Sequence, residues 1–334
     1  PEMGESPRLR VVLMGSPDFA VQVLESLVGA GMAPVLVVTP PSKPTGRGRR
    51  RVDAPLARAA EKLDLPLHRT SDVNGRTSRE TVEEATPDVV VTAGFGQKLG
   101  SALLTLPPKG CVNVHGSRLP AFRGASPVQA ALRDGVDKTG VTLFVMDEEL
   151  DRGPIIAMQE IPLEGDETAD DVMASLARLG ADLLVRTLPE YVAGDIEPQP
   201  QDHDQATYAG RLKKESGKVP WARSALEIKN HVRSVTSWPG AQTAWQPKVK
   251  HDPLPLLLVE TQVLDPGEAL QEGQERPADL PAPGTVLASS HEGIDVQCGQ
   301  GVLRVLRVRP SGGRAMAVKD FLNARRVIAG DRLL

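Results

Sequence analysis

Short apolar runs alternate with amphipathic stretches through the first 190 or so residues. Residues 9–14, 35–38 and 88–93 are nearly continuous in apolar, largely β-branched side chains, as strands buried on both faces are. Residues 111–114, 141–146 and 154–163 continue the series, with a shorter run at 65–67. Between them, residues 19–27 place Phe19, Val23, Leu24 and Leu27 on one face of a helix that Gly29 and Gly31 end. Residues 54–63, 77–85 and 126–133 read as further helices. Residues 168–192 read as a long one, in which Val172, Leu176, Leu179, Leu183 and Leu184 recur near helical spacing. Thr168 with Asp171 three positions on has the form of a capping box. Strand, helix, strand within about 30 residues is the parallel crossover unit. The pattern therefore predicts an α/β fold with a doubly wound, mostly parallel sheet.

The second half is patterned differently. Residues 194–220 are polar and carry Pro198, Pro200, Gly210 and Gly217, as an interdomain linker would. A helix is expected over 224–235. After Trp238-Pro239-Gly240 come short alternating segments at 241–245, 256–263, 284–287, 293–298 and 302–308, then a short helix at 318–326. Short strands separated by turn signals predict a small C-terminal β-barrel of the oligonucleotide-binding kind. Residues 264–283 form a polar insertion, expected to be mobile. The expected organisation is a catalytic domain over 1–194, a linker over 195–220 and a β-barrel domain over 221–334.

The length of 334 residues suffices for two such cores. No apolar run approaches a membrane span, and no basic-then-apolar segment opens the sequence, so a cytoplasmic protein is expected. Two cysteines, Cys111 and Cys298, stand far apart without metal-ligand spacing, which argues against a disulfide framework and a bound metal. Net charge is −4, but it is unevenly spread. Residues 207–334 hold 18 Lys and Arg against 13 Asp and Glu, while residues 1–206 hold 21 against 30. A basic C-terminal part on an acidic chain suits either a polyanionic partner or an ordinary solvated surface. Residues 39–51 form a loop rich in Pro and Gly with five basic residues, Lys43, Arg47, Arg49, Arg50 and Arg51. Such a loop is either solvated or a phosphate-contacting element that orders on nucleic acid.

The chemistry concentrates in residues 111–151. Asn113 and His115 share one face of a strand because side chains alternate with period 2, and Gly116 ends that strand. Asp151 follows a second strand. Singly, each has a plain reading: a backbone cap, a structural imidazole, a turn residue. Together at strand ends they suit acyl transfer. An amide donor holds an oxygen gaining charge, an imidazole moves a proton, and a carboxylate orients the imidazole and favours its charged form. The first strand–helix turn, Gly15-Ser16-Pro17-Asp18, lacks the Gly-x-Gly-x-x-Gly fingerprint, which argues against a dinucleotide cofactor.

The run Asn113-Val114-His115-Gly116-Ser117-Arg118-Leu119-Pro120, with Arg123-Gly124-Ala125-Ser126-Pro127, Thr139-Gly140-Val141-Thr142, Met146-Asp147 and Leu150-Asp151-Arg152-Gly153, resembles the folate-dependent formyltransferases, most nearly those acting on methionyl-tRNA. Gly15 to Ala20, Lys43 to Arg49 and the tail from Pro283 extend the likeness over nearly the whole chain. The resemblance implies a Rossmann-like catalytic domain and formyl transfer from 10-formyltetrahydrofolate to the α-amino group of methionyl-initiator tRNA. It implies Asn113, His115 and Asp151 as the catalytic set. Ser117, Arg118, Leu119 and Pro120, with the aromatic-glycine loop Phe95-Gly96, fall where the family contacts folate. Arg47, with Lys43 and Arg49, matches the segment that enters the tRNA acceptor arm, and Lys213 and Lys214 are expected to face the bound backbone. Arg118 stands where the family carries leucine, and Gly100 where it carries proline. No metal takes part, and the enzyme is expected to be a monomer. Three rivals are a formyltransferase for a small amine such as glycinamide ribonucleotide, a folate hydrolase, and a catalytically inert RNA-binding module.

Overall fold

The apolar runs become the strands of a central sheet in the computed structural model, which describes residues 9–45, 50–249, 252–265 and 280–334. In chain order the elements are β1 (Val11–Gly15), α1 (Asp18–Gly29), β2 (Leu36–Thr39), β3 (Lys43–Thr45), β4 (Arg50–Val52), α2 (Pro55–Lys62), β5 (Leu67–Arg69), α3 (Arg76–Glu84), β6 (Val89–Ala93), α4 (Ser101–Leu104), β7 (Cys111–His115), β8 (Arg123–Gly124), α5 (Pro127–Asp134), β9 (Lys138–Val145), β10 (Ile155–Pro162), α6 (Ala169–Ala193) and β11 (Tyr208–Ala209). The sheet runs β10-β9-β7-β6-β1-β2-β5. Its five strands from β5 to β7 are parallel, and β9 and β10 are antiparallel additions at one edge. The order reverses at β1: the chain passes outward through β2 to β5, then returns to place β6 on the other side. Open α/β sheets hold ligands beyond the carboxyl ends of the strands at such a reversal.

Alternation along the strands sorts the two faces. Val12, Met14, Val38, Val90 and Cys111 pack with Val82 of α3, Phe95, and Leu103 and Leu104 of α4 in one buried cluster. Neighbouring positions point the other way, where Gly180 of α6 lies against Val114 and Val141, close enough that a Cβ on it would meet Val114 Cγ1 at 2.8 Å. Helix α6 begins with the expected box. Thr168 N and Oγ1 donate to Asp171 Oδ2 at 2.9 and 2.6 Å, and Asp171 N donates back to Thr168 Oγ1. The hydroxyl and backbone donors of Thr168 hold the Asp171 carboxyl below its usual range.

Three expectations are revised. Strand β5 sits two residues later than its apolar run, because Pro66 has no N–H to give a ladder; its carbonyl instead accepts from Val37 N. The basic stretch 39–51 is in part a hairpin, β3 pairing antiparallel with β4 (Lys43↔Val52, Thr45↔Arg50). Arg51 supports it by donating from Nε to Ser42 Oγ at 3.0 Å and from Nη2 to the Ser42 carbonyl at 2.8 Å. Finally, residues 199–209 are tied down: Gln199 and Ile155 exchange backbone hydrogen bonds, and β11 pairs in parallel with β8.

By internal contacts the chain forms two units. The first takes the described residues up to Pro127 with Lys138–Pro162 and Val172–Gly210; the second takes Val128–Asp137, Leu163–Asp171 and the described residues from Arg211. The second unit contains α7 (Ala225–Ser234), β12 (Ala241–Gln246), β13 (Leu254–Leu264), β14 (Val286–Ser290), β15 (Gly293–Gln297), β16 (Val302–Pro310), β17 (Met316–Ala317), α8 (Val318–Ala324) and β18 (Arg332–Leu333). Its sheet runs β14-β15-β16-β13-β12-β18, and a bridge between Thr285 and Arg332 brings the ends together. Closure into a near-barrel removes the free edges that invite aggregation. Leu258, Val296, Leu303 and Val305 fill it with Ile228 of α7 and Phe321 of α8. Ser224 and Glu227 form a full capping box at α7. Most of the expected mobile insertion, residues 266–279, lies outside the described residues.

Candidate active site

Strand β7 carries Asn113 and His115 on one face, at the carboxyl end of the sheet beside the strand reversal. Its parallel register with β6 sets Asn113 opposite Thr92, and Asn113 Nδ2 donates to Thr92 Oγ1 at 2.7 Å. Thr92 Oγ1 in turn donates to Met146 Sδ at 3.3 Å. One amide hydrogen of Asn113 is thereby fixed, and the other is left to be aimed. Thr92 is the one polar residue in an otherwise apolar strand (Val-Val-Val-Thr-Ala), and that was the signal available for it.

His115 is buried, 7% exposed. Its Nε2 lies 3.1 Å from the Phe122 carbonyl. A carbonyl only accepts, so Nε2 carries a hydrogen and donates. The ring nitrogen left to gain or lose a proton is therefore Nδ1, which faces Asp151 Oδ2 at 3.8 Å. That is an ion-pair distance when the ring is charged but too long for a direct hydrogen bond, so Nδ1 remains open to another partner. The edge of the ring meets Phe144 at 6.3 Å between centroids and 81° between planes.

The residues that face the two ring nitrogens share an unusual backbone. Phe122 has φ +58° and Asp151 has φ +52°. Bulky or branched L-residues seldom occupy the left-handed region, and the surroundings must compensate. Around Phe122, its N–H donates to Thr207 Oγ1 at 2.8 Å, and Ser117 Oγ donates to the Ala121 carbonyl at 2.6 Å. Thr142 Oγ1 donates to the Ser117 carbonyl at 2.7 Å and accepts from Leu119 N at 3.1 Å. The Asp151 carboxylate accepts from Gly124 N at 2.7 Å. Gly124 has φ +117°, and a Cβ there would stand 2.5 Å from the Ala209 carbonyl oxygen.

His115 and Asp151 thus come together, and Asn113 stands two positions before His115 on the same face of β7. The other predicted positions divide. Ser117 is wholly buried and shapes the turn, Leu119 is buried, and Pro120 follows it through a cis bond. Arg118 is paired with Glu160 of β10, which also accepts from Lys138 Nζ at 2.9 Å. Those cations, Lys138 foremost, hold the Glu160 carboxyl below the usual range. Phe95 packs in the core cluster beside α4, and Gly96 has φ +79°. Lys43 is exposed on β3, whereas Arg47 and Arg49 lie outside the described residues. Lys213 and Lys214 are exposed in the second unit. Burial pushes the Cys111 thiol up to about 12, so it stays protonated and unreactive at neutral pH. Among the described residues, no group of three or more His, Cys, Asp or Glu is placed to hold a metal, and no helix is long and apolar enough to cross a membrane.

Sequence comparison decides what this arrangement belongs to. A model described as formyl transferase matches residues 8–188, and one described as formyl transferase, C-terminal domain, matches residues 211–326. The methionyl-tRNA formyltransferase of Halorhodospira halophila is 42% identical over 322 residues, covering 96% of this chain and 98% of that protein. The same-named protein of Myxococcus xanthus is 38% identical over 325 residues, covering 97% and 98%. The chain belongs to the methionyl-tRNA formyltransferase family. Solved structures agree on the fold. An N-formyltransferase from Helicobacter canadensis, in complex with folinic acid and dTDP-3-aminofucose, superposes with a TM-score of 0.62 at 15% identity, covering 89% of this chain and 98% of that one. HypX from Aquifex aeolicus, in complex with tetrahydrofolic acid, gives 0.58 at 16% identity, covering 94% of this chain and 47% of that one.

As a member of the methionyl-tRNA formyltransferase family, the chain is a formyl-transferring enzyme. Several residues of its site were not legible as such. Phe122 acts through a carbonyl and Gly124 through an N–H, so side-chain chemistry gave no signal for either. Thr207 lies in the polar segment whose composition reads as a linker, as does Gln201, whose amide donates to the Asp151 and Gly153 carbonyls.

Proposed function

We propose that this enzyme moves the formyl group of 10-formyltetrahydrofolate to the α-amino group of methionyl-initiator tRNA, with Asn113, His115 and Asp151 as its catalytic set. The observation that supports this chemistry is the approach of His115 Nδ1 to the Asp151 carboxylate, with Asn113 two positions earlier on the same face of β7. The amine attacks the formyl carbon, and a C–N bond forms as negative charge grows on the oxygen. The free amide hydrogen of Asn113 stabilises that oxygen, joined by His115 once Nδ1 has taken the proton lost by the amine. The intermediate collapses with cleavage of the bond to the folate nitrogen. The proton lost by the amine goes to that leaving nitrogen, with His115 Nδ1 as carrier and Asp151 balancing the imidazolium. No covalent enzyme intermediate is required.

The choice of a charged tRNA over a small amine rests on the relatives, which carry that name over almost their full length, and on the excess of basic residues after position 206. Lys43 of β3 is assigned to the tRNA backbone together with Arg47, Arg49, Lys213 and Lys214; Ser117 to Pro120 and Phe95-Gly96 are assigned to the folate. The enzyme is read as a cytoplasmic monomer, which predicts a single species near 35.7 kDa in sedimentation. The deciding experiment offers labelled 10-formyltetrahydrofolate together with methionyl-initiator tRNA and glycinamide ribonucleotide. Label on the methionyl amine alone is expected. Label on the small acceptor alone would keep the chemistry of the site and overturn the tRNA assignment.

A further inference from the structure

Arg123 is 1% exposed, the largest fully buried side chain of the fold. A buried guanidinium needs partners for its fixed fork of donors. It finds them in the polar segment after α6. Arg123 Nε and Nη2 donate to Gln201 Oε1 at 3.2 and 2.7 Å, and Nη2 lies 2.9 Å from His203 Nδ1. Gln201 is itself buried. Its amide nitrogen donates to two carbonyls at once, Asp151 O at 2.9 Å and Gly153 O at 2.8 Å.

The bonds close a circuit on Asp151. Through its side chain, Arg123 fixes Gln201, and Gln201 fixes the Asp151 backbone. Through its main chain, Arg123 leads to Gly124, whose N–H fixes the Asp151 carboxylate. β11 pairs with β8 alongside, holding the Arg123-Gly124 backbone in register with Tyr208-Ala209. Asp151 sits at φ +52°, a left-handed turn conformation that few residues with a side chain adopt and that Asp enters more readily than most. Both hydrogens of the Gln201 amide are used on the turn that contains it.

We infer that Gln201 is a positioning residue: it clamps the left-handed turn at Asp151, through the buried Arg123, so that the carboxylate faces His115 Nδ1. This rests on the role proposed above for Asp151. Gln201 touches neither His115 nor the reacting atoms, and its effect on the reaction passes through Asp151 alone.

A double-mutant cycle on the full-length enzyme tests it, with kcat and both KM values measured under saturating donor and acceptor. Gln201→Met keeps the volume and removes every polar contact. It is expected to lower kcat about 10- to 100-fold, the scale of a misplaced catalytic group, with both KM values within about twofold of wild type. In an Asp151→Asn background the same change is expected to lower kcat less than about threefold, since residues acting as one unit are non-additive. Should Gln201→Met fail to fold, Gln201→Glu retains the acceptor for Arg123 but has no N–H for the two carbonyls, and the same pattern is expected. Equal loss from Gln201→Met in both backgrounds, or a loss below threefold in the wild type, overturns the positioning role. If Asp151→Asn is crippled while Gln201→Met is not, only the clamp is refuted. If Asp151→Asn retains full kcat, the role of Asp151 falls and the clamp falls with it.

Discussion

At the scale of single residues, the two nitrogens of His115 meet different surroundings. The Phe122 carbonyl fixes the tautomer, and Asp151 supplies an anion beside Nδ1. His115→Ala is accordingly expected to cost on the order of 10² to 10⁴ in kcat while leaving tRNA affinity within about twofold. Single-turnover formyl transfer alongside filter binding separates the two effects, and an active His115→Ala enzyme would remove the residue from the mechanism. Thr92→Val tests the orientation of Asn113 by the same assay. It is nearly isosteric and deletes only the hydroxyl that holds Nδ2, so kcat is expected to fall about tenfold with no change in KM. The placing of Asn113 and His115 was legible because a strand has period 2. Their supports were not. Phe122 and Gly124 contribute main-chain atoms, which every residue carries, and Gln201 reaches Asp151 across 50 positions of sequence.

At the scale of elements, hydrophobic periodicity located the longer strands and helices, but not the four-residue α4, although its Leu103 and Leu104 are buried. The capping box at Thr168 was visible as local spacing, because both partners lie within one turn, whereas the box at Ser224 was found only in the structure. The hairpin of β3 and β4 was not, since its strands are three residues each and β4 is wholly exposed, without the apolar alternation that marks a half-buried strand. Glycine gives a direct test of what the elements demand. In α6, Gly180 lets the helix approach the sheet, and a Cβ would press on Val114 Cγ1 at 2.8 Å and Val141 Cγ1 at 3.1 Å. Gly29, in the last turn of α1, has nothing within 4 Å of the same added atom. Both are helical, so the change to alanine has opposite expected signs. Gly180→Ala is expected to destabilise by about 1–3 kcal/mol through overpacking. Gly29→Ala is expected to stabilise by about 0.4–1 kcal/mol by restricting the unfolded chain. Urea unfolding midpoints measure both, and a stabilised Gly180→Ala protein would contradict the close approach of α6.

At the scale of the molecule, the division into an α/β unit and a barrel was legible, because the period of the apolar pattern changes near residue 194. The exact membership was not. Residues 128–137 and 163–171 belong with the barrel unit, joined to one another by Leu163 N donating to the Asp137 carbonyl at 2.9 Å. Gly135, at φ +67°, lies so close to Asn230 of α7 that a Cβ would stand 2.6 Å from Nδ2. These pairings join positions 26 and 95 residues apart, and no local pattern encodes them. The charge distribution is the one global feature that bears on function. The excess of basic residues after position 206 is small, so affinity for a polyanion must come from where the charges stand rather than from their sum. Arg211, Lys213, Lys214 and Lys218 are all exposed within eight positions of one another. If Lys213 and Lys214 meet tRNA phosphates, the double change to alanine leaves two phosphates without a cation. The KM for methionyl-tRNA should then rise, and the slope of log K against log[salt] should shrink by about 2, close to one unit for each phosphate no longer neutralised. Activity on a small aminoacyl ester should not change, because it presents no phosphate to this surface. Measuring both acceptors from low to moderate salt separates the cases: an unchanged slope with tRNA would return these lysines to the solvated surface, whereas a parallel loss on the small ester would mean that they support the fold of the barrel unit.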